Sequence, residues 1–190
     1  TLTTNGSLLN PLKITQLYDN GLDSITISLD SLNVNTNNTI NPYHASDSVI
    51  EAIKNATNIF KKVKVNFVVI KNVNDSEILN TISQFKDLKI QLRFIEFMDV
   101  GTTNGWNLGE VIPSIELIGK INERYKIKPL DANYKGEVAE RWIYEDGKGE
   151  IGFISSVTQA FCDSCTRGRL SAEGKLYTCL FASRGFDLRE

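Results

Sequence analysis

The chain has 190 residues, 41% of them hydrophobic and 23% charged, with a formal net charge of −2. That composition belongs to a folded globular protein, in one domain or in parts of two. The near-zero charge gives no global pull toward nucleic acid or an anionic membrane, and no apolar run approaches the roughly 20 residues of a spanning helix.

The first hundred residues alternate strand and helix. The opening TLTTNG predicts a strand ending at residue 5, so the sequence is expected to begin inside a fold, as a fragment. Gly6 permits a tight turn into a helical pattern over 8–20, with Pro11 in its first turns. SITISLD predicts a strand over 24–30, and an Asn-rich polar loop containing the lone His44 follows to about residue 45. Ser46 suits the N-cap of a helix with the apolar face Val49, Ile50, Ile53, Ala56 and Phe60. KVNFVVI predicts a buried strand over 64–70. Asn74 and Glu77 have the spacing of a capping box for a helix to about residue 86. QLRFIEFMDV predicts a strand over 91–100.

Strands separated by single helices imply parallel neighbours, hence an α/β fold with its site at the carboxyl ends of the strands. Polar residues fall there: Thr3, Thr4 and Asn5, Ser28 and Asp30, Lys71 and Asn72, and Glu96, Met98 and Asp99. Taken singly, most read equally well as turn formers.

After Gly101 the texture changes. GTTNGWNLG predicts a loop, and Ser114 suits the cap of a helix to about residue 125. AERWIYE and GEIGFISSV then predict an antiparallel pair turning at Asp146-Gly147. The expected division is residues 1–105 as an α/β unit and 106–190 as a smaller α+β module. Trp106 and Trp142 read as packing residues, and no Ser/His/Asp set, P-loop or paired carboxylates can be placed in one site.

All three cysteines fall in one stretch, FCDSCTRGRLSAEGKLYTC, as Cys162, Cys165 and Cys179. A hairpin turning at Glu173-Gly174 would return Cys179 beside the C-x2-C pair. A structural zinc site closes with four ligands, and iron–sulfur clusters are held by thiolates. Three thiolates would leave one iron open. Arg167 and Arg169 follow Cys165, and guanidinium forks onto phosphate or carboxylate oxygens. Ordinary buried cysteines, or one disulfide with a thiol left over, are the alternatives; confinement to one short segment and the odd count favour a metal or cluster site.

TTNG, SLD, VKVNFVVIKNVND, LRFIEFMDVG, the GEVAE segment and above all FCDSCTRGRL–EGK–CL resemble the molybdenum cofactor biosynthesis protein A family of radical S-adenosylmethionine GTP 3′,8-cyclases. The resemblance runs through essentially the whole chain. It implies the later part of an incomplete (β/α)6 barrel followed by a cluster-binding module. In complete members one [4Fe–4S] cluster on a C-x3-C-x2-C motif cleaves S-adenosylmethionine, and the 5′-deoxyadenosyl radical abstracts hydrogen from C3′ of GTP. The C3′ radical then adds to C8, giving 3′,8-cyclo-7,8-dihydro-GTP, while a second cluster binds guanine through its open iron.

This sequence has no C-x3-C-x2-C motif, so the resemblance implies one cluster here, of two in the complete enzyme, and a fragment inactive alone. It implies that Cys162, Cys165 and Cys179 hold that cluster, that Arg167, Arg169, Arg93 and Lys64 meet GTP, and that Thr3, Ser28 and Met98 meet S-adenosylmethionine. No residue of the chain is given a catalytic acid, base or nucleophile. The implied partners are GTP, S-adenosylmethionine, a reductant and, downstream, cyclic pyranopterin monophosphate synthase; a homodimer is left open. The implied location is the cytoplasm in a bacterium or the mitochondrial matrix in a eukaryote. A peptide-modifying radical enzyme and a non-catalytic zinc-binding module are the competing readings. Auxiliary tails of the former usually carry more cysteines, and the latter lacks a fourth ligand.

Overall fold

The computed structural model describes residues 1–40, 46–98, 105–159, 162 and 165–189. His44, Asp99 and the 101–104 part of the expected loop lie outside them. Fifteen strands and helices follow in chain order: β1 Leu2–Thr4, α1 Pro11–Asp19, β2 Ser24–Ser28, α2 Val34–Ile40, α3 Ser46–Ile59, β3 Lys62–Val69, α4 Ile78–Phe85 and β4 Ile90–Glu96. The remainder are α5 Ser114–Arg124, β5 Ile127–Leu130, β6 Glu140–Tyr144, β7 Glu150–Ile154, β8 Arg169–Leu170, β9 Lys175–Tyr177 and β10 Phe186–Asp187.

A seven-stranded sheet runs in the order β1-β2-β3-β4-β7-β6-β5. Strands β1, β2, β3, β4 and β7 are mutually parallel, whereas β7-β6-β5 is antiparallel. The later hairpin thus continues the sheet begun by the strand–helix repeats, with β7 docked in register along β4. A second, three-stranded sheet, β10-β9-β8, is antiparallel throughout.

Side-chain alternation divides the large sheet into two chemically different faces. On β3, Val63, Val65, Phe67 and Val69 are buried, and Lys64, Asn66 and Val68 between them are only partly so. Strand β4 repeats this, with Ile90, Leu92 and Phe94 against Gln91, Arg93 and Ile95. The apolar face packs on Ile14 of α1, Val49 and Ile53 of α3, Ile78, Ile82 and Phe85 of α4, and Leu117 and Ile121 of α5. Phe67, Phe94 and Phe153 meet in sequence across β3, β4 and β7, with ring centroids 5.5 and 6.2 Å apart. Burying each such side chain is worth about 1.5–3 kcal/mol. Gly6 has φ +78°, and a Cβ there would stand 2.9 Å from Ile27 Cγ2, so the turn into α1 leaves no room for a side chain.

Several local expectations are corrected. Helix α1 starts only at Pro11, where Asn10 Oδ1 caps the backbone N–H of Lys13 at 2.8 Å. The expected Asn-rich loop contains α2, whose first turn is capped by Asn33 Oδ1 accepting from Asn35 N at 2.8 Å. Asn74 and Glu77 form no capping box. The Asn74 side chain instead accepts from Ile70 N and donates to the Asp30 and Val68 carbonyls, each at 2.8 Å. Glu77 accepts from Ser31 Oγ at 2.7 Å and Leu32 N at 3.0 Å. The two residues therefore cross-link the loops after β2 and β3. Strand β5 was not expected; it carries Pro129 and lies at the sheet edge, where a missing N–H is tolerated. Among the described residues no helix is long and apolar enough to cross a membrane.

Candidate functional site

The polar face of the sheet is assembled by register. Thr26, Lys64, Gln91 and Glu150 align across β2, β3, β4 and β7, and one pleat further on Ser28, Asn66, Arg93 and Gly152 align. Gly152 packs closely beside Arg93: a Cβ there would lie 3.2 Å from Arg93 Cγ, a tight contact that the arginine side chain would have to shift to relieve. Burial pulls Lys64 below its ordinary pKa, neighbouring Arg93 adds to the fall, and Glu137 opposes it. Burial also lowers Arg93, with Glu137 and Tyr134 opposing. Two partly desolvated cations side by side are an arrangement that an anion relieves.

Beyond the carboxyl ends of β4 and β7 this face opens into a cavity of about 410 Å³. Cys162, Cys165 and Cys179 line it together with Arg167, Arg169 and Met98; Ile95 and Ile154 form part of its floor. Local chemistry explains the convergence. Cys165 N donates to the Cys162 carbonyl at 3.1 Å, which holds the two residues together. Strands β8 and β9 then pair through a tight turn, with Gly174 at φ +79°, and carry Cys179 back to the same cavity. Arg167 and Arg169, two residues apart, both reach it, as alternation along an extended segment requires.

All three thiols are free and exposed. The backbone N–H of Arg167, then its guanidinium, pull Cys165 below the usual thiol range, which favours the thiolate that metals bind. Arg169 Nη1 is buried without a hydrogen-bond partner among the described residues, an orphan donor beside the cavity. Among the described residues no three His, Cys, Asp or Glu groups converge as a ready site for a single metal ion. The three thiols line one cavity, and thiolates are the ligands that hold iron–sulfur clusters. Three thiols, a lowered Cys165 and an unsatisfied guanidinium fit such a cluster with an anionic or polar ligand beside it.

Glu96, at the end of β4, holds this end of the molecule together. It is fully buried, and Oε1 accepts from Ser114 N at 2.8 Å, Ser114 Oγ at 3.1 Å and Thr158 Oγ1 at 2.5 Å. Oε2 accepts from Val157 N and Thr158 N at 2.9 and 2.8 Å. Burial pushes its pKa up, but the Thr158 hydroxyl and the N–H groups of Thr158, Ser114 and Val157 outweigh that and hold it below the ordinary range. Ser114 is thus a ligand of Glu96 and not the expected helix cap; that position is taken by Pro113. In sequence Glu96 stood out only as one more polar residue at a strand end. Its place on the buried phase of β4 was the available signal.

Not every expected residue reaches the cysteine cavity. Lys64 lines a second cavity, of about 450 Å³, at the amino ends of β3, β4 and β7, with Lys61, Lys62, Lys89, Gln91 and Arg141. Arg93 lies between the two cavities along β4. Thr3 is exposed and in register with Thr26, and Ser28 is in register with Asn66; neither lines the cavity that Met98 shares with the cysteines. Val138, within GEVAE, and Thr178 line it without having been singled out.

Residues 90–190 match the family model of Molybdenum Cofactor Synthesis C, and residues 1–85 match that of the Radical SAM superfamily. A GTP 3′,8-cyclase of Staphylococcus carnosus is 44% identical over 191 residues, covering 100% of this chain and 56% of the relative. GTP 3′,8-cyclases of Xanthomonas campestris pv. campestris and Staphylococcus aureus are 45% and 43% identical over 190 residues, each covering 99% of this chain and 56% of the relative. The chain spans about half the length of these relatives. More than half of it matches one family model, and the chain belongs to the molybdenum cofactor synthesis family of radical S-adenosylmethionine proteins.

Proposed function

We propose that this chain is the substrate-holding part of a GTP 3′,8-cyclase of molybdenum cofactor biosynthesis. The observation that carries the reading is the cavity at the ends of β4 and β7, where three thiols and two arginines meet. In this reading residues 1–105 form part of a radical-enzyme barrel and residues 106–190 a cluster-binding module. Cys162, Cys165 and Cys179 would hold a [4Fe–4S] cluster, which when bound supplies an iron lacking a protein ligand as a Lewis acid toward the guanine.

The chain's own residues do the rest by binding and orientation. Arg169 presents its unpartnered Nη1, and Arg167 lines the same cavity. Arg93 and Lys64 extend the positive field along the sheet toward the amino-end cavity, giving charge-assisted bonds to the nucleotide's phosphates in a partly desolvated setting. Thr3, Ser28 and Met98 are assigned to S-adenosylmethionine, with Met98 nearest the cysteines. An electron donor, and downstream the enzyme that converts the cyclised nucleotide to cyclic pyranopterin monophosphate, complete the set of partners. The reaction would run in the cytoplasm if the source is a bacterium and in the mitochondrial matrix if it is a eukaryote.

The test is anaerobic incubation of the cluster-loaded complete protein with GTP, S-adenosylmethionine and dithionite. Formation of 3′,8-cyclo-7,8-dihydro-GTP, lost on Cys→Ala substitution at 162, 165 and 179, is expected. Production of 5′-deoxyadenosine with no GTP-derived product would overturn the reading.

A further inference from the structure

The segment that carries the cysteines has no core of its own. Among the described residues, neither Cys162 nor any residue from 165 to 189 is buried. Strands β8, β9 and β10 are two, three and two residues long, and Leu170, Phe181, Phe186 and Leu188 are each more than half exposed. Its backbone hydrogen bonds stay inside the segment. Cys165 N donates to the Cys162 carbonyl, Ser171 N to that of Lys175, Gly174 N to Ser171, Ala182 N to Cys179 and Leu188 N to Gly174. Without buried packing, polar ties to the large sheet decide where such a segment sits.

The approach to the cysteines from β7 is tied down at one side chain. Ser156, just past the strand, lines the cysteine cavity. The next two backbone N–H groups, of Val157 and Thr158, both donate to Glu96 Oε2, at 2.9 and 2.8 Å, and the Thr158 hydroxyl donates to Oε1. Cys162 stands four residues further on. Glu96 is fully buried at the end of β4, next to Ile95 and two residues before Met98, which both line the same cavity. Its remaining bonds, from Ser114 N and Oγ, fasten it to the start of α5. Hydrogen bonds to an ionised acceptor are about twice as strong as neutral ones. One buried carboxylate therefore joins the segment that delivers Cys162 to the strand end that it faces.

We propose that Glu96 is a positioning residue for the cluster, holding the backbone of Val157 and Thr158 so that Cys162 stays at the ends of β4 and β7. It touches neither the cluster nor the nucleotide and acts through the segment it binds. The proposal rests on the reading of the three cysteines as cluster ligands. It adds the residue that governs how firmly the cluster is kept. Without this tie the segment leading to Cys162 detaches more often, and each detachment exposes iron to solvent.

The experiment follows iron release to bathophenanthroline from the complete cluster-loaded protein, under anaerobic reducing conditions and well below the melting temperature of every variant. The iron of this cluster is the fraction missing from the triple Cys162→Ala, Cys165→Ala, Cys179→Ala variant. E96Q should lose that fraction roughly tenfold or more faster than wild type. T158V, which removes one of the five bonds, should lose it roughly three- to tenfold faster. The remaining iron should leave both variants at the wild-type rate. F94A is the control, because its ring packs in the core between Phe67 and Phe153 and its loss weakens the fold about as much. It should release iron within about twofold of wild type. Wild-type release from E96Q and T158V, or equal acceleration in F94A, would overturn the assignment; where E96Q does not fold, T158V alone decides. A triple cysteine variant that holds as much iron as wild type would instead remove the cluster reading itself.

Discussion

Replacing Glu96 with glutamine changes one atom of a buried carboxylate that receives five hydrogen bonds. Whichever oxygen becomes the amide nitrogen, an N–H donor then faces at least two donors. At Oε1 these are Ser114 and Thr158, and at Oε2 they are Val157 and Thr158. Bonds to a charged acceptor are each worth about 1.5–3 kcal/mol, and an orphaned buried donor costs about 1–3 kcal/mol, so a net loss of roughly 3–5 kcal/mol is expected. For a chain of this size that corresponds to a fall in melting temperature of roughly 6–20 °C, and to a smaller fall in the longer complete protein, because the shift scales inversely with the entropy of unfolding. Because the folded pKa of Glu96 is held below its unfolded value, its stabilisation is fully present above the unfolded pKa and is lost as pH falls through the folded one. Thermal melts of the complete protein should therefore show a wild-type advantage that is full above about pH 5 and shrinks below about pH 4, the range of an ordinary glutamate. E96Q melting within about 2 °C of wild type at pH 7, or a gap that widens on acidification, would refute the reasoning.

The isolated 190-residue chain should form no 5′-deoxyadenosine from S-adenosylmethionine and dithionite above a protein-free control, since its only three cysteines lie in the C-x2-C-x13-C segment. In the complete protein R167A or R169A should lower cyclised product about ten- to a hundredfold, the loss of one charge-assisted bond of about 1.5–3 kcal/mol, while 5′-deoxyadenosine formation continues; equal loss of both products would contradict this. F94A should destabilise by about 3–5 kcal/mol in urea unfolding, because its ring bridges Phe67 and Phe153 in the core.

The parallel architecture was legible because β2, β3 and β4 carry β-branched and aromatic runs and the helices between them carry apolar residues at helical spacing. Helix α2 was hidden because VNTNNTI has too few apolar residues to show a period, and its cap, Asn33, reads as one more loop residue. Strand β5 was hidden by its proline and brevity. The cysteine cavity could be foreseen because its thiols and arginines are close in sequence, and a hairpin suffices to gather them. Glu96 could not, since what sets it apart is partners contributed by distant elements and loops. Register also separates Lys64 from the arginines, a division that local spacing cannot express.

The central claim is that the thiols around the cavity at the ends of β4 and β7 hold an iron–sulfur cluster with an iron available to substrate. Iron and acid-labile sulfide should be counted after anaerobic reconstitution of the complete protein and of its triple Cys162→Ala, Cys165→Ala, Cys179→Ala variant. The account predicts that the variant loses about four iron and about four sulfide per chain, the content of one [4Fe–4S] cluster. Equal iron and sulfide in both proteins, or zinc in place of iron at these cysteines, would contradict it.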